Sequence, residues 1–361
     1  MKLIDRYILK RYLVTFLFTL LILIPIAVAI DIAEKIDRFL RHESLTFWEV
    51  VNDYYVNFII YYVNTFMPLG LFIAVILFTS KLANNTEIVA INSSQISFTR
   101  FLYPYFVGAT IITIVALLMN HFFVPSSSKI RRTFEKKYLS HHRYEDNSVK
   151  DFSLQLNDST YVFIQNFNLQ RNSGYNFSTE TYNGIHLKYK LIADNINWNE
   201  KDSTFKLYNW KERKVFKNRD SIFTGNSLDT IFAFTPQDFN YKSIVAQEMR
   251  SGELKDFIAI SKKRGIKNLN AYYVELYKRT SLPIASYILT LIAVALAHKK
   301  KRGGLGLNLA LGLAAMFIYV FFMKIGEVLG AVAGANSILN VWMPNIMFGL
   351  FAVYLYINAR K

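Results

Sequence analysis

The sequence predicts an α-helical membrane protein with six transmembrane helices, three on either side of an inserted all-β, jelly-roll-like domain. Three observations carry this. Long apolar runs recur six times, each near the roughly 20 residues that cross a bilayer. Lys and Arg gather at alternate ends of those runs, which marks one side as cytoplasmic. Between the third and fourth runs, from about Lys150 to Asn240, apolar residues alternate with polar ones, the period of a half-buried strand. Composition agrees: 52% of the 361 residues are hydrophobic and only 19% charged, against about 25% charged in soluble domains. Lys and Arg number 42 against 26 Asp and Glu, a net charge of +16. In a soluble chain that excess would suggest nucleic acid. Here the basic stretches carry no nucleic-acid motif, and topology and anionic lipid account for them. Cysteine is absent, which excludes disulfides and thiolate metal sites.

The elements follow in order. Lys2, Arg6, Lys10 and Arg11 precede a first span over Tyr12–Ile30, too long for a cleaved signal, with Pro25 able to kink it. Its far end, DIAEKIDRFLR, crowds Asp31, Glu34, Lys35, Asp37, Arg38 and Arg41, which i,i+4 pairs such as Glu34 with Arg38 explain in part. Phe47–Asp53 reads as a short amphipathic return and Tyr54–Ser80 as the second span, with tyrosines at its outer end. Lys81–Pro104 is a polar connector. Leu102–Val124 is the third span, emerging at Pro125 with Lys129, Arg131 and Arg132 just outside. Strand-like runs follow: SLQL, STYVFIQNF, GIHLKYKLI, STFKLYNW, KERKVF and SLDTIFAF, closed by Thr235-Pro236-Gln237-Asp238. Three spans precede this region, so it lies opposite the N-terminus. Gln247–Asn268 has a polar helical pattern. Tyr272–Ala297 (broken by Pro283), Leu305–Leu329 and Val341–Ile357 are the last three spans. HKKKRGG and Arg360-Lys361 put that loop and both termini in the cytoplasm. The expected domains are 1–124 with a connector helix at 84–98, then 125–270, then 271–361.

The connector can form about four helical turns from Asn85. Asn85 or Thr86 can cap it, Glu87 suits the dipole in its first turn, and Ile88 and Ile91 share a face between Lys81 and Arg100. It is either a capped connector or a membrane-parallel helix whose acid docks on a soluble motor. In the fifth span Lys324 and Glu327 stand three apart, where charge needs a partner or a wet cavity. Either they pair, or Lys324 joins Lys35, Arg38, Arg41, Lys129, Arg131 and Arg132 in an outer ring suited to headgroup phosphates. Gly306, Gly312, Ala314 and Ala315 permit close helix packing in the same span. Leu154, Leu156, Val162 and Ile164 alternate as either a sandwich core or an apolar lining would require. There is no GxxxxGK[ST], HExxH or GxSxG, so no P-loop, catalytic residue, cofactor or metal is expected. His141 and His142 read as solvated, His121 as interfacial and Gly303-Gly304 as a turn.

At this point the residues resemble the LptF/LptG permeases of the lipopolysaccharide exporter. DRYILKRYL opens the chain as in that family. TEIVAINSSQISFTRFLYP is similar to its coupling helix, with Glu87 at the acidic position and Ser94 or Gln95 where a glycine usually stands. YVELYKRTSLPIASYILTLIAVALA resembles its fourth span, with Arg279 and Pro283 at motif positions, and WMPNIMFGL its sixth. INWN, LYNW and TPQDF recur in the right order in the β domain. The opening and the sixth span are nearer LptG. The resemblance implies the permease subunit of an ABC-type exporter in the bacterial inner membrane. Its partners would be a dimeric LptB-like ABC ATPase, a second permease of the same family and an LptC-like bitopic protein. It would extract lipopolysaccharide and pass it to a periplasmic β-jelly-roll bridge, with ATP hydrolysed by the partner and not by this chain. Glu87, with Ile88, Ile91 and Arg100, would couple to the ATPase. Basic residues of spans one and three would hold the glycolipid phosphates, the family's span-one lysine falling nearest Lys35 or one position away at Glu34.

Two rivals belong to other classes. A membrane-anchored receptor with a ligand-binding β domain would need a cytoplasmic output domain, which the sequence does not show. A secondary transporter would show paired intramembrane acids and internal repeats, and neither is visible.

Overall fold

A computed structural model of the chain describes residues 2–360 except 43, 140–147, 158, 201, 217–218, 237–242, 265, 267–268 and 300–303. His141, His142, Gln237, Asp238 and Gly303 therefore lie outside the described residues. The chain divides into two compact units. A membrane unit comprises Met1–Ser140, Ala246–Leu254 and Asn270–Lys361, and a β unit comprises His141–Val245 and Lys255–Leu269.

Six helices of the membrane unit are long and apolar enough to span: Leu3–Leu40, Phe47–Asn84, Phe98–Leu139, Asn270–Ala297, Gly306–Ala331 and Ser337–Arg360, called spans one to six. Spans one and three run 38 and 42 residues, about 57 and 63 Å at 1.5 Å per residue, roughly twice the hydrocarbon thickness. The expected break before Tyr54 is absent. Thr46 caps Phe47 in a reciprocal box with Glu49, and a π-helical turn at Val50–Tyr55 carries the return straight into span two. Nor does Pro125 end span three. It stands in the first turn of the segment Val124–Phe134, after a π-helical turn at Met119–Phe123, where a missing N–H costs little. The spans close around one apolar core that includes Tyr12, Leu71, Val75, Tyr105, Leu289 and Tyr319. Two close approaches hold it. A Cβ on Gly108 of span three would come 2.2 Å from the Tyr12 ring of span one, and one on Gly312 of span five 2.0 Å from Ile76 of span two. Of the other small residues, Ala315 packs against the core, whereas Gly306 and Ala314 face outward.

The β unit holds six described strands: β1 (Ser148–Asn157), β2 (Thr160–Asn168), β3 (Ser173–Asn183), β4 (His186–Asn199), β5 (Thr204–Val215) and β6 (Asp220–Thr230). Each pairs antiparallel with the next, in the order β1-β2-β3-β4-β5-β6. The turns follow from side chains. Asn157 Oδ1 accepts the N–H groups of Ser159 and Thr160, Asn168 Oδ1 those of Gln170 and Arg171, and Gly184 takes φ +61 between β3 and β4. Strand β3 has no counterpart among the expected runs. Its inward face carries Phe177 and the 4%-exposed Thr179, a β-branched residue of low hydropathy. STFKLYNW and KERKVF are one strand, β5, and IFAF lies beyond the end of β6. The inward face, with Leu154 paired to Val162 and Phe152 to Ile164, forms one core.

Candidate functional site

One end of the membrane unit gathers the start of span one, the connector between spans two and three, and the start of span three. The connector helix is seven residues, Glu87–Ser93, shorter than the four turns the sequence suggests. It breaks because Gln95 takes φ +61, the left-handed region, and because Ser97 caps span three by accepting the Arg100 N–H at 3.3 Å. Gln95 thus takes a backbone conformation that favours glycine. Thr86 also has positive φ, and Asn85 closes span two rather than opening the connector. Glu87 is half-exposed. Its carboxylate accepts from the Tyr7 hydroxyl and the Asn85 amide, each at 3.2 Å. Ile88 is buried and Ile91 packs against the same core, so this face anchors the helix. Arg100 reaches the buried Asp5 at 2.6 Å.

At the opposite end lies a cavity of about 320 Å³ among spans two to five. Phe66, Met67, Leu282, Met316, Tyr319 and Met323 contribute to its apolar wall, and Asn64 and Asn120 exchange reciprocal amide hydrogen bonds at 3.0 and 3.1 Å. Its charged side is a chain of ion pairs: Lys324–Glu327 at 2.8 Å, Glu327–Lys278 at 3.8 Å, Lys278–Glu275 at 3.0 Å and Glu275–Arg279 at 3.5 Å. Arg279 is only 2% exposed and also donates to Ser251 Oγ and to the carbonyl of Ala246. Lys324 is therefore paired, yet its partner is shared with span four.

The remaining cations divide. Lys35 pairs with Asp31 at 2.6 Å and donates to the Tyr54 hydroxyl. Arg131 lies 3.6 Å from Glu135 and 4.4 Å over the Tyr61 ring, while Arg132 meets Gln247 at 2.7 Å and Glu248 at 3.5 Å. Arg38, Arg41 and Lys129 form no ion pair among the described residues, and Arg41 and Lys129 are exposed. In the β unit Leu154, Val162 and Ile164 are buried and Leu156 packs against them, beneath a stacked Phe232–Phe234 pair with ring centroids 5.1 Å apart. No group of three His, Cys, Asp or Glu side chains placed to hold a metal occurs among the described residues.

The model of the lipopolysaccharide export system permease family LptF/LptG matches residues 6–358. The chain belongs to this family. An uncharacterized protein of Aquifex aeolicus (strain VF5) is 24% identical over 319 residues, covering 83% of each chain. As an LptF/LptG member the chain is a multi-pass inner-membrane permease subunit of lipopolysaccharide export, from a family that works within an ABC transporter complex. Membership leaves the site to geometry, and geometry adds residues that sequence reasoning passed over. Asp5 and Tyr7 stand among the basic residues that precede span one, and an acid at the foot of that span was a readable signal. Glu275 and Lys278 sit three apart in YVELYKR, the same cue that singled out Lys324 and Glu327.

Proposed function

We propose that the chain is the membrane subunit of an ABC-type exporter that draws lipopolysaccharide from the inner membrane and delivers it to a periplasmic β bridge. The observation that carries this is Glu87. A two-turn helix at one end of the spans holds a carboxylate outward with two donors while burying its apolar side. Such a handle suits docking to a soluble ATPase, with Arg100 fixing its base. Both termini and this connector face the cytoplasm, and the β unit the periplasm. Moving acyl chains through water costs about 0.8 kcal/mol per CH₂, so the path must stay apolar. The cavity of spans two to five and the buried face of Leu154, Leu156, Val162 and Ile164 supply candidate stretches of it. Arg38, Arg41 and Lys129 are the cations best placed to take headgroup phosphates, with Lys35, Arg131, Arg132 and Lys324 held ready by acids that a phosphate would replace. The outward faces of spans one and five suit a second permease, and an LptC-like protein would complete the bridge.

Purification of tagged Glu87→Ala in mild detergent tests the reading. The variant folds and elutes with much less ATP-binding subunit than wild type. Equal recovery of that subunit, with normal lipopolysaccharide export, refutes the docking role.

A further inference from the structure

Span one is held along one narrow side and bare along the rest. Only 17% of its apolar window is buried, and Val14, Leu17, Phe18, Leu21 and Ile26 project from the unit. Polar contacts to other spans gather at its two ends, with Asp31 and Lys35 bonded to Tyr54 at the outer one and a denser set in its first turns. Asp5 is 2% exposed, accepts the Lys2 backbone N–H at 2.7 Å and pairs with Arg100 at 2.6 Å. Tyr7 reaches Glu87 at 3.2 Å, with the Arg11 guanidinium 5.8 Å above its ring. Ile8 is 1% exposed, and Ile4, Asp5 and Ile8 line a small cleft with Ile91, Ile96 and Phe101. One end of a long helix is thus bound to both ends of the connector, Glu87 at its start and Arg100 beyond its close.

We propose that Asp5 and Tyr7 are positioning residues that clamp the foot of span one to the connector, so that the two move as one body when the connector is displaced. One continuous helix of 38 residues joins this foot to its outer end about 50 Å away, where Asp31 and Lys35 bond Tyr54 of span two, so a displacement of the connector is carried to Lys35 and Arg38. Neither residue needs to touch lipid or nucleotide. The inference rests on the docking role proposed for Glu87, and its failure is separable from failure of that role.

The test uses the complete complex in vesicles containing lipopolysaccharide, measuring ATPase recovery, ATP hydrolysed and glycolipid released. Tyr7→Phe with Asp5→Asn retains the ATPase subunit, hydrolyses ATP within about twofold of wild type, and moves at least fivefold less lipid per ATP. Asp5→Glu recovers part of that ratio, which a loss of folding alone would not allow. If Asp5→Asn fails to accumulate, Tyr7→Phe alone must still lower the ratio at least twofold. A wild-type ratio in the variants overturns the clamp and leaves Glu87 docking intact, because docking is read separately by ATPase recovery. Because the chain lacks cysteine, Ile4→Cys with Ile96→Cys can be bridged by a reducible bifunctional thiol reagent. Bridged protein keeps at least half its transport if the two elements move together. Transport that stops on bridging and returns on reduction overturns the proposal.

Discussion

The most apolar stretches of spans one and two invert the usual expectation that the greasier segment lies deeper. The most apolar 18-residue window of span one has a mean hydropathy of 2.9 and is 17% buried, whereas that of span two has 1.9 and is 67% buried. Lipid is as apolar as leucine, so burial against other helices gains little from hydrophobicity and depends on small residues and polar pairs. Span two offers both kinds of contact. Thr79 bonds Tyr105 at 2.9 Å, Ser80 accepts from Asn308 at 3.0 Å, and Ile76 fits against Gly312. Span four, 56% buried, behaves likewise through Arg279 and through Ser281, which accepts from Asn345. Span one has Asp5 at its foot, Tyr12 beside Gly108, and an apolar shaft beyond.

If polar pairs decide burial, the largest loss comes from span four. Arg279→Ala leaves Glu275 to Lys278 alone and takes a buried donor from Ser251 Oγ and the Ala246 carbonyl, which costs about 3 kcal/mol, read as a lower melting temperature in detergent. A melt within about 1 kcal/mol of wild type would break the comparison. Glycine placement comes next. Gly108→Leu drives a side chain into the Tyr12 ring and costs about 1–3 kcal/mol, while Gly306→Leu, with nothing within 4 Å of its added Cβ, leaves the melt unchanged. Equal effects at the two glycines would mean that close approach does not hold these helices.

The β unit supplies the aqueous control. Glu180 faces Lys190 across β3 and β4 at 2.7 Å, and this ammonium, with the Tyr182 hydroxyl, holds the carboxyl below its usual range. A depressed carboxyl pKa stabilises the fold above the unfolded value and loses that contribution as pH falls through the folded one. Lys190→Met therefore costs about 0.2–1 kcal/mol at neutral pH, and the gap closes in acid, as hydrogen exchange of β3 and β4 amides would report. A gap that persists at pH 3 assigns the loss to packing. Smallest in stability are Leu17→Ala and Leu21→Ala on the shaft of span one, within about 0.5 kcal/mol. If a second permease covers that face as proposed, they lower its recovery in a pull-down, and unchanged recovery would leave lipid as the neighbour of that face.

The fold was legible where period and length are decisive: six apolar runs, a basic side and alternation between them. Boundaries were less so, because π-helical turns absorb Val50–Tyr55 and Met119–Phe123 into continuous helices without a sequence signature. Strand β3 was hidden by its Thr and Asn residues. At the candidate site, a helix opening near Glu87 was readable from its flanks, though not its length of seven residues. That Gln95 would take the left-handed turn was not, since glycine would be the expected residue there.

The sequence by itself determined class, topology and the inventory of charge, because hydropathy and period are properties of short windows. It could not decide which charges stand free. Lys35 is matched by Asp31 four residues away, a local fact, but Arg100 is matched by Asp5 and Glu327 by Lys278 across helices far apart in the chain. Only the tertiary structure pairs such groups, since Coulomb attraction depends on distance in space and burial strengthens it where water is excluded.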